Sequence, residues 1–328
     1  MKTFRNIVAT AAIMAFAATP VAGQQPDGAA YPTRPISLIM PLAVGSAGDV
    51  LGRVVAAKMS IDLGKPVVNE NITGASGVIG IERMLRAPPD GYTLLGTGDN
   101  QLIYAPLFNK ESRFHALKDF QPITQLAVLD WVLVANPGFP ARTIAELVAL
   151  AKEKPGAINF ASGGLGSAQQ IAMELLMART GIKLTHVPYR GVTPGLTDVA
   201  SGQVQLMFTA VSVAAPFLPD GRLRIIATAG LERSPLLPDV PTIAESGVEG
   251  FEFRTWMGLL AQSGTPPEVV KRLRAAASAA IKDPSIRSQL DAGGFVPVGN
   301  TPDEFRAVLE RDYHRIAEIM RSAGIAPK

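Results

Sequence analysis

Hydrophobic and polar positions follow two different periods along the chain. Short apolar runs rich in Ile, Val and Leu have the length of buried strands. The stretches between them repeat apolar residues every three to four positions, as amphipathic helices do. The predicted strands cover residues 36–40, 67–69, 92–95, 131–134, 158–160, 184–187, 204–208, 223–227 and 256–261. This alternation predicts an α/β fold built around mainly parallel sheets.

Four segments with the spacing Thr-x-x-Glu predict helix N-termini. They begin at Thr143, Thr242, Thr265 and Thr301, and each has a Glu three residues later. In such a capping box the Thr hydroxyl accepts an N–H of the first turn, and the Glu carboxylate accepts the N–H of the Thr. The boxes specify helices and imply no chemistry.

The first 23 residues have the pattern of a secretory signal peptide. Lys2 and Arg5 precede an apolar run over residues 7–18, and small residues at Val21 and Gly23 allow cleavage after Gly23. The run is shorter than the roughly 20 residues that a membrane-spanning helix requires. We therefore expect a mature protein that is exported to the periplasm and is not anchored in the membrane.

Composition narrows the classes of function. The chain has 328 residues, 47% of them hydrophobic and 18% charged, which is enough for a large core and predicts two lobes. The absence of Cys excludes disulfides, thiolate metal sites and a Cys nucleophile. Outside the predicted signal peptide the charges nearly balance, so no nucleic-acid partner is expected. His115, His186 and His314 have no metal-site spacing, and no metal, cofactor or catalytic residue is predicted.

Two strand-to-helix loops rich in Gly and Ser are the candidate ligand-binding elements. The loop after strand 36–40 supplies Val44, Gly45, Ser46, Ala47 and Asp49. The loop after strand 158–160 supplies Ser162, Gly163, Gly164 and Ser167. Ligands of open α/β sheets bind at the carboxyl ends of the strands, where a helix N-terminus offers unpaired N–H groups to an anion. The two loops together predict one small carboxylate held between two lobes.

Other interpretations of these residues stay open. Glycine loops also serve simply to turn the chain, and Asp49 also suits the role of a carboxylate that stabilises its own helix N-terminus. Thr97 follows the strand at 92–95 and is a further candidate ligand contact. Asp99, beside Gly98 and Asn100, fits a turn residue better than a binding group.

Several spaced motifs resemble the Bug (TctC-like) solute-binding proteins of tripartite tricarboxylate transport systems. The motifs are YPTRPI at 31–36, DGYTLL at 90–95, HVPYRG at 186–191 with LTD at 196–198, LPDVPT at 237–242, AESG at 244–247 and GTP at 264–266. The resemblance implies a type II periplasmic binding protein-like fold, in which two α/β lobes are joined by two crossing segments with a ligand cleft between them. It also implies that the ligand carboxylate is held by the two loops 44–49 and 162–167, through their backbone groups and through bridging waters.

The resemblance also suggests lobe limits and further site residues. Lobe 1 is expected over residues 31–129 and 253–328, and lobe 2 over 130–252. Tyr189 and Asp198 lie in the shared motifs and are expected near the cleft, although core packing explains Tyr189 equally well. The chain departs from the family at Val44-Gly45-Ser46, where Pro-Gly-Gly is usual, and at Gln170, where His is common. Such departures affect the outer recognition groups, so no relative's ligand transfers directly.

The function implied is that of a binding protein and not of an enzyme. It would capture a small carboxylate, such as a di- or tricarboxylate, an amino acid or an aromatic acid, by closure of its lobes. As a monomer without a cofactor, it would deliver that ligand to the membrane components of a tripartite tricarboxylate transporter. A sensor that passes its liganded state to a membrane receptor is an alternative. An exported hydrolase or isomerase that uses Asp49 or Asp198 with Ser46 or Ser162 is another.

Overall fold

The computed structural model describes residues 31–108 and 112–322, so the predicted signal peptide lies outside the described residues. The strands are β1 Ile36–Met40, β2 Val67–Asn71, β3 Thr93–Gly98, β4 Phe120–Leu129, β5 Trp131–Ala135, β6 Asn159–Ser162, β7 Thr185–Pro188, β8 Leu206–Ala210, β9 Arg224–Thr228, β10 Thr255–Gln262 and β11 Phe295–Pro297. The helices are α1 Ala47–Leu63, α2 Val78–Leu85, α3 Ala105–Phe108, α4 Ile144–Glu153, α5 Ala168–Thr180, α6 Val192–Ser201, α7 Val211–Ala214, α8 Pro267–Lys282, α9 Arg287–Gly293 and α10 Pro302–Ser322.

These elements form two sheets, which confirms the predicted two-lobed α/β architecture. The first has the order β11-β4-β10-β3-β1-β2 and the second the order β7-β6-β8-β5-β9. We call the parts built on them the first and the second lobe. Each sheet has a parallel half, because β1 pairs with β2 and β3, and β6 pairs with β7 and β8. The prediction of mainly parallel sheets is wrong, since β10 and β5 enter as antiparallel strands after the chain changes lobe.

Two short segments carry the chain between the sheets and lie side by side. Asp130 separates β4 from β5, and its Oδ1 lies 3.0 Å from Nε of Arg254, which precedes β10. The indole Nε1 of Trp131 donates to Oγ1 of Thr255 at 2.9 Å. The ring of Trp131 also packs edge-on against Phe253, with centroids 5.2 Å apart. The exact lobe limits, 31–129 with 253–328 and 130–252, stay a prediction.

Both faces of the first sheet are covered, which fixes the position of the first candidate loop. Leu38 and Met40 of β1 belong to a buried cluster with α1 and α8, whereas Ile39 belongs to the cluster on the opposite face. Successive side chains of a strand point to opposite faces, so β1 is buried on both. Its carboxyl end therefore delivers the chain directly to the start of α1. Within residues 31–108 and 112–322, no helix combines the length and apolar character needed to cross a bilayer.

Candidate functional site

A cleft of about 510 Å³ lies at the junction of the two lobes. Its volume falls in the range of roughly 300 to 1,000 Å³ that is usual for small-molecule sites. The first turn of α1 borders it with Ser46, Ala47 and Gly48. The first turn of α5 borders it with Ser167, Ala168 and Gln169. Two helix N-termini from different lobes therefore face one cavity.

The loop before α1 is held by the carboxylate of Asp49, which is only 1% exposed. Its Oδ2 accepts the N–H of Gly45 at 2.9 Å and Nε of Arg53 at 3.0 Å, and its Oδ1 accepts Nδ2 of Asn71 at 2.8 Å. Burial by itself would raise the pKa of Asp49, but the hydrogen bonds from Arg53, Gly45 and Asn71 together lower it. The Asp49 carboxylate therefore organises the loop and lies outside the cleft lining.

Two small residues set how closely this loop approaches its surroundings. Ser46 is the N-cap of α1, and its Oγ accepts the N–H of Asp49 at 3.3 Å. At Gly48 a Cβ atom would lie 2.8 Å from Cδ1 of Leu42 and 3.2 Å from the side chain of Met257. A larger residue would force the ends of the Leu42 and Met257 side chains, which line the cleft, to move.

The loop before α5 is held by neutral groups instead. Oγ of Ser162 lies 2.6 Å from Nε2 of His186 and accepts the N–H of Gly164 at 3.1 Å. The ring of His186 stacks on Phe160, with centroids 4.9 Å apart, and burial lowers its pKa. Oε1 of Gln170, where the related family commonly has His, accepts the N–H of Gly166 at 2.8 Å. These contacts shape the loop without any charged side chain.

The hydroxyl of Ser167 differs from the other hydroxyls of these loops. Its Oγ is buried and has no hydrogen-bond partner among the described residues. Ser167 also borders a second cavity of about 310 Å³, which it shares with Asn100. A buried hydroxyl without a partner costs free energy, which a ligand atom or a water at this position would recover.

Asp99, which resembles a turn residue in the sequence, is a buried acid of the cleft lining. Asp99 is 3% exposed; its Oδ1 accepts the N–H of Asn100 at 2.9 Å and its Oδ2 accepts the Tyr104 hydroxyl at 3.3 Å. Burial raises the pKa of Asp99 to about 8, and the nearby Asp312 adds to the rise. The hydrogen bonds from Asn100 and Tyr104 and the charge of Arg315 limit it.

The structure brings some of the predicted residues to the cleft and places others behind it. Ser46, Ala47, Gly163 and Ser167 border the cleft. Outside its lining lie Val44, Gly45, Asp49, Thr97, Ser162, Gly164, Tyr189 and Asp198. Direct ligand contact by any predicted site residue stays a prediction.

The residues outside the lining have other partners or face solvent. Val44 is 73% exposed, and Thr97 is fully buried, with its Oγ1 3.4 Å from the carbonyl of Gly98. The Tyr189 hydroxyl donates to Oδ2 of Asp198 at 2.7 Å. Burial and the neighbouring Asp198 carboxylate raise the pKa of Tyr189 to about 12. These two residues therefore form a closed pair.

The rest of the cleft wall is mainly apolar. Its larger apolar side chains are Leu42, Leu129, Trp131, Val192, Trp256, Met257 and Phe295. Both indole N–H groups have protein partners, since Trp131 donates to Thr255 and Trp256 donates to Oδ2 of Asp312 at 3.1 Å. Among the described residues that line the cleft, none is Lys, Arg or His. No group of His, Asp and Glu in the described ranges is arranged to hold a metal ion.

Comparisons with known proteins agree with this geometry. Residues 51–325 match the family model TctC, the tripartite tricarboxylate transporter family receptor. The chain is 37% identical to the UPF0065 protein in the tcbD-tcbE intergenic region of Pseudomonas sp. strain P51, over 90% of this chain and 89% of that one.

Two solved structures are similar over nearly their whole length. The R. palustris protein Rpa4515 with adipate is 31% identical, with a TM-score of 0.76 and coverage of 91% of this chain and 100% of that one. The periplasmic binding protein BugD is 32% identical, with a TM-score of 0.72 and the same coverage. The resemblance to the Bug proteins is therefore confirmed, and the chain belongs to the TctC family of periplasmic solute-binding proteins.

Proposed function

We propose that this protein captures a small organic acid between its lobes in the periplasm and delivers it to the membrane components of a tripartite tricarboxylate transporter. The observation that carries the proposal is the convergence of the α1 and α5 N-termini on one cleft. Each helix start offers backbone N–H groups and the positive end of a helix dipole. Several such groups hold a carboxylate without any basic side chain.

Closure of the lobes follows from the same arrangement. A ligand shifts an equilibrium between open and closed forms only if it binds one of them more tightly. A carboxylate that contacts Ser46 and Ser167 together stabilises the form in which α1 and α5 are close. The segments around Asp130 and Arg254 are the natural hinge, because they carry the chain between the two sheets. The related R. palustris protein was solved with a dicarboxylate, adipate, which supports a carboxylate ligand here.

The two tryptophans of the chain give a direct test of binding. Both border the cleft, so their fluorescence should respond to an occupant. Titration of the mature protein with mono-, di- and tricarboxylates and with amino acids should give a saturable change for at least one acid and a rise in melting temperature. No response to any acid would contradict the proposal.

A matched pair of variants on α1 locates the site. Ala47 and Ala57 are both exposed, but only Ala47 borders the cleft. Ala47→Leu should abolish the fluorescence response by filling the space in front of the helix start. Ala57→Leu should leave it intact. Equal responses from the two variants would place the ligand elsewhere.

Delivery to a transporter needs its own experiment. Tagged protein with and without ligand is incubated with solubilised membranes, and the captured proteins are identified. Capture of permease subunits that depends on ligand supports transport, whereas capture of a signalling receptor supports the sensor alternative.

A second candidate function rests on one contact. Ser162 Oγ and His186 Nε2 lie 2.6 Å apart, which is the distance between a nucleophile and its general base. Ser162 is fully buried, however, and lies outside the cleft lining. The contact therefore fits a structural role better. Mass spectrometry of a bound acid or ester after long incubation distinguishes a hydrolase from a binding protein. A hydrolase would release product, and Ser162→Ala would stop the release of product.

A further inference from the structure

The cleft has a strongly uneven distribution of polar groups. The helix starts of α1 and α5 border one part of it, the polar residues Asp99, Asn100, Gln101 and Thr255 border another, and the remaining wall is formed by the apolar side chains named above. Two indole rings belong to this wall, and their N–H groups donate to Thr255 and Asp312 rather than to the cleft. One end of the space is therefore suited to a carboxylate and the rest to an apolar group.

A second carboxylate would find little to neutralise it in this space. No Lys, Arg or His belongs to the described lining, and an ionised group that loses water without a partner is costly. Asn100 and Gln101 offer amide groups, but neither carries charge.

Asp99, when it is ionised, lowers the affinity of the cleft for a ligand with a second negative charge. It is the one acidic residue of the described lining, and its carboxyl group is nearly inaccessible to water. The groups that face it are the N–H of Asn100, the Tyr104 hydroxyl, and Asp312 and Arg315 from α10. Nη2 of Arg315 lies 3.2 Å from Oδ1 of Asp312, so the positive charge of Arg315 is already paired with Asp312 and is less available to Asp99. A ligand carboxylate beside Asp99 would thus meet repulsion once Asp99 is ionised, above about pH 8, whereas at lower pH Asp99 already carries a proton and is neutral.

We propose that the cleft prefers acids with a single carboxylate and an apolar body over acids with two or more carboxylates, and that Asp99 contributes to this selectivity. The inference rests on the proposed function and defines its ligand class. In it, the carboxylate lies between the α1 and α5 N-termini, and the apolar body lies against Trp131, Trp256 and Phe295. The preference would distinguish this chain from its adipate-bound relative.

Matched pairs of acids test the preference directly. Benzoate and terephthalate share a ring and differ by one carboxylate, and hexanoate and adipate share a six-carbon chain in the same way. Calorimetric titration of the wild-type mature protein should give an affinity for the monoacid of at least one pair that exceeds its diacid by about tenfold or more. Tighter binding of the diacid in both pairs would overturn the inference and leave the proposed function standing. Failure of all four acids would overturn the inference, and failure of the wider acid panel would also overturn the proposed function.

The Asp99→Asn variant tests the residue named as the selector. Measured at about pH 9, where Asp99 is ionised, the substitution keeps the size of the side chain and removes the negative charge, so the monoacid-to-diacid affinity ratio should fall by about threefold or more relative to wild type. Asp220→Asn is the matched control, because the Asp220 side chain is 73% exposed and lies outside the cleft lining, so it should leave the ratio unchanged. An unchanged ratio in Asp99→Asn would remove Asp99 from the proposal.

A measurement on wild-type protein keeps this test valid if the Asp99 variant does not fold. Between about pH 6 and about pH 9 Asp99 loses its proton, and the ratio of monoacid to diacid affinity should rise by about threefold. Both carboxylates of the diacids are already ionised over this range, so the ligand charge stays constant. A ratio that does not change with pH would contradict the role of Asp99.

Discussion

The two loops that border the cleft occupy equivalent positions in their lobes but are stabilised differently. In the loop before α1, the buried Asp49 carboxylate connects Gly45, Arg53 and Asn71, and Asn71 belongs to a neighbouring strand. In the loop before α5, Ser162 is joined to His186 of the adjacent strand by a bond between neutral groups. One loop therefore depends on a charge and the other does not.

This difference bears on how the proposed anion site would work without basic residues in its lining. The charge of Asp49 is balanced by Arg53 within the protein, so it does not oppose a ligand directly. The loop before α5 contains no charged group and leaves the Ser167 hydroxyl without a protein partner. We expect removal of the charged network to cost more stability than removal of the neutral one.

The largest effect is expected for Asp49→Ala. The substitution removes the acceptor of three hydrogen bonds, from the Gly45 N–H, Arg53 and Asn71. It should lower the free energy of unfolding by about 3 kcal/mol. Urea denaturation followed by circular dichroism measures this change, and the fluorescence response to ligand should be lost as well.

Asp62→Ala is the matched control for that experiment. Asp62 forms an ion pair with Arg272 in which both side chains are more than a third exposed, so its loss should cost less than about 1 kcal/mol. Similar costs for Asp49→Ala and Asp62→Ala would show that the Asp49 network does not determine the loop.

A smaller loss is expected for Ser162→Ala. It removes the bond to His186 and the acceptor of the Gly164 N–H, both between neutral groups, and should cost about 1 to 2 kcal/mol. The half-buried imidazole stays stacked on Phe160 and can bond to water instead. Ser201→Ala, on the exposed end of α6, serves as the control in the same urea series. A cost above that of Asp49→Ala would reverse the comparison between the loops.

Ser167→Ala should separate stability from binding. Because the buried Ser167 Oγ has no partner among the described residues, its removal should leave the free energy of unfolding unchanged or raise it by about 1 kcal/mol. The affinity for the acid found by fluorescence titration should fall about tenfold, which corresponds to about 1.4 kcal/mol. An unchanged affinity would show that the hydroxyl does not contact the ligand.

The fold follows from the sequence wherever the apolar pattern is uninterrupted. The strand predicted over 36–40 coincides with β1, and the two loops were placed at the ends of strands that the structure contains. The missed central strand is β4, whose pattern is broken by Pro122. Pro lacks an N–H and normally avoids sheet interiors. Here Pro122 pairs with Leu260, where the ladder has a register irregularity that accommodates it.

The capping boxes show that local chemistry does not fix the element that follows. Thr143 and Thr301 form the expected bonds before α4 and α10. Thr242 forms the same bonds with Glu245, but the chain there only turns. At Thr265 the predicted helix start is confirmed, since α8 begins at Pro267, but the predicted capping box is wrong, because the Thr265 hydroxyl donates to the carbonyl of Gln262 and the N-cap is Pro266.

The candidate site is only partly visible in the sequence, because its parts come from distant segments. Ser46 and Ser167 were identified from loops next to their strands. Asp99 resembles a turn residue locally. Its pKa is raised first by burial and then by Asp312, which lies on the last described helix. The apolar wall joins Trp131 to Phe295. Only the packing of the two lobes brings such residues together.

The smallest expected effect is a change of stability with pH. It should differ between the two loops, because one is stabilised by His186 and the other by Asp49. Burial lowers the pKa of His186, so the folded state binds fewer protons than the unfolded state below about pH 6.5. The stability that neutral His186 provides is therefore present above about pH 6.5 and is lost as the pH falls towards its folded pKa. The lowered pKa of Asp49 instead preserves its contribution until the pH falls below about 4. Mild acid should weaken the loop before α5 first.

Denaturation between about pH 7 and about pH 5 measures this difference, which should amount to less than about 1 kcal/mol because His186 is only half-buried. His186→Gln should flatten the pH dependence in this range, whereas Asp49→Asn should not. His314→Gln is the control, because His314 is exposed.

Hydrogen exchange, corrected for intrinsic rates, should show loss of protection at Gly164, whose N–H donates to Ser162, before Gly45. Simultaneous loss at both amides would mean that the loops open together and that their different contacts do not set their stability in acid.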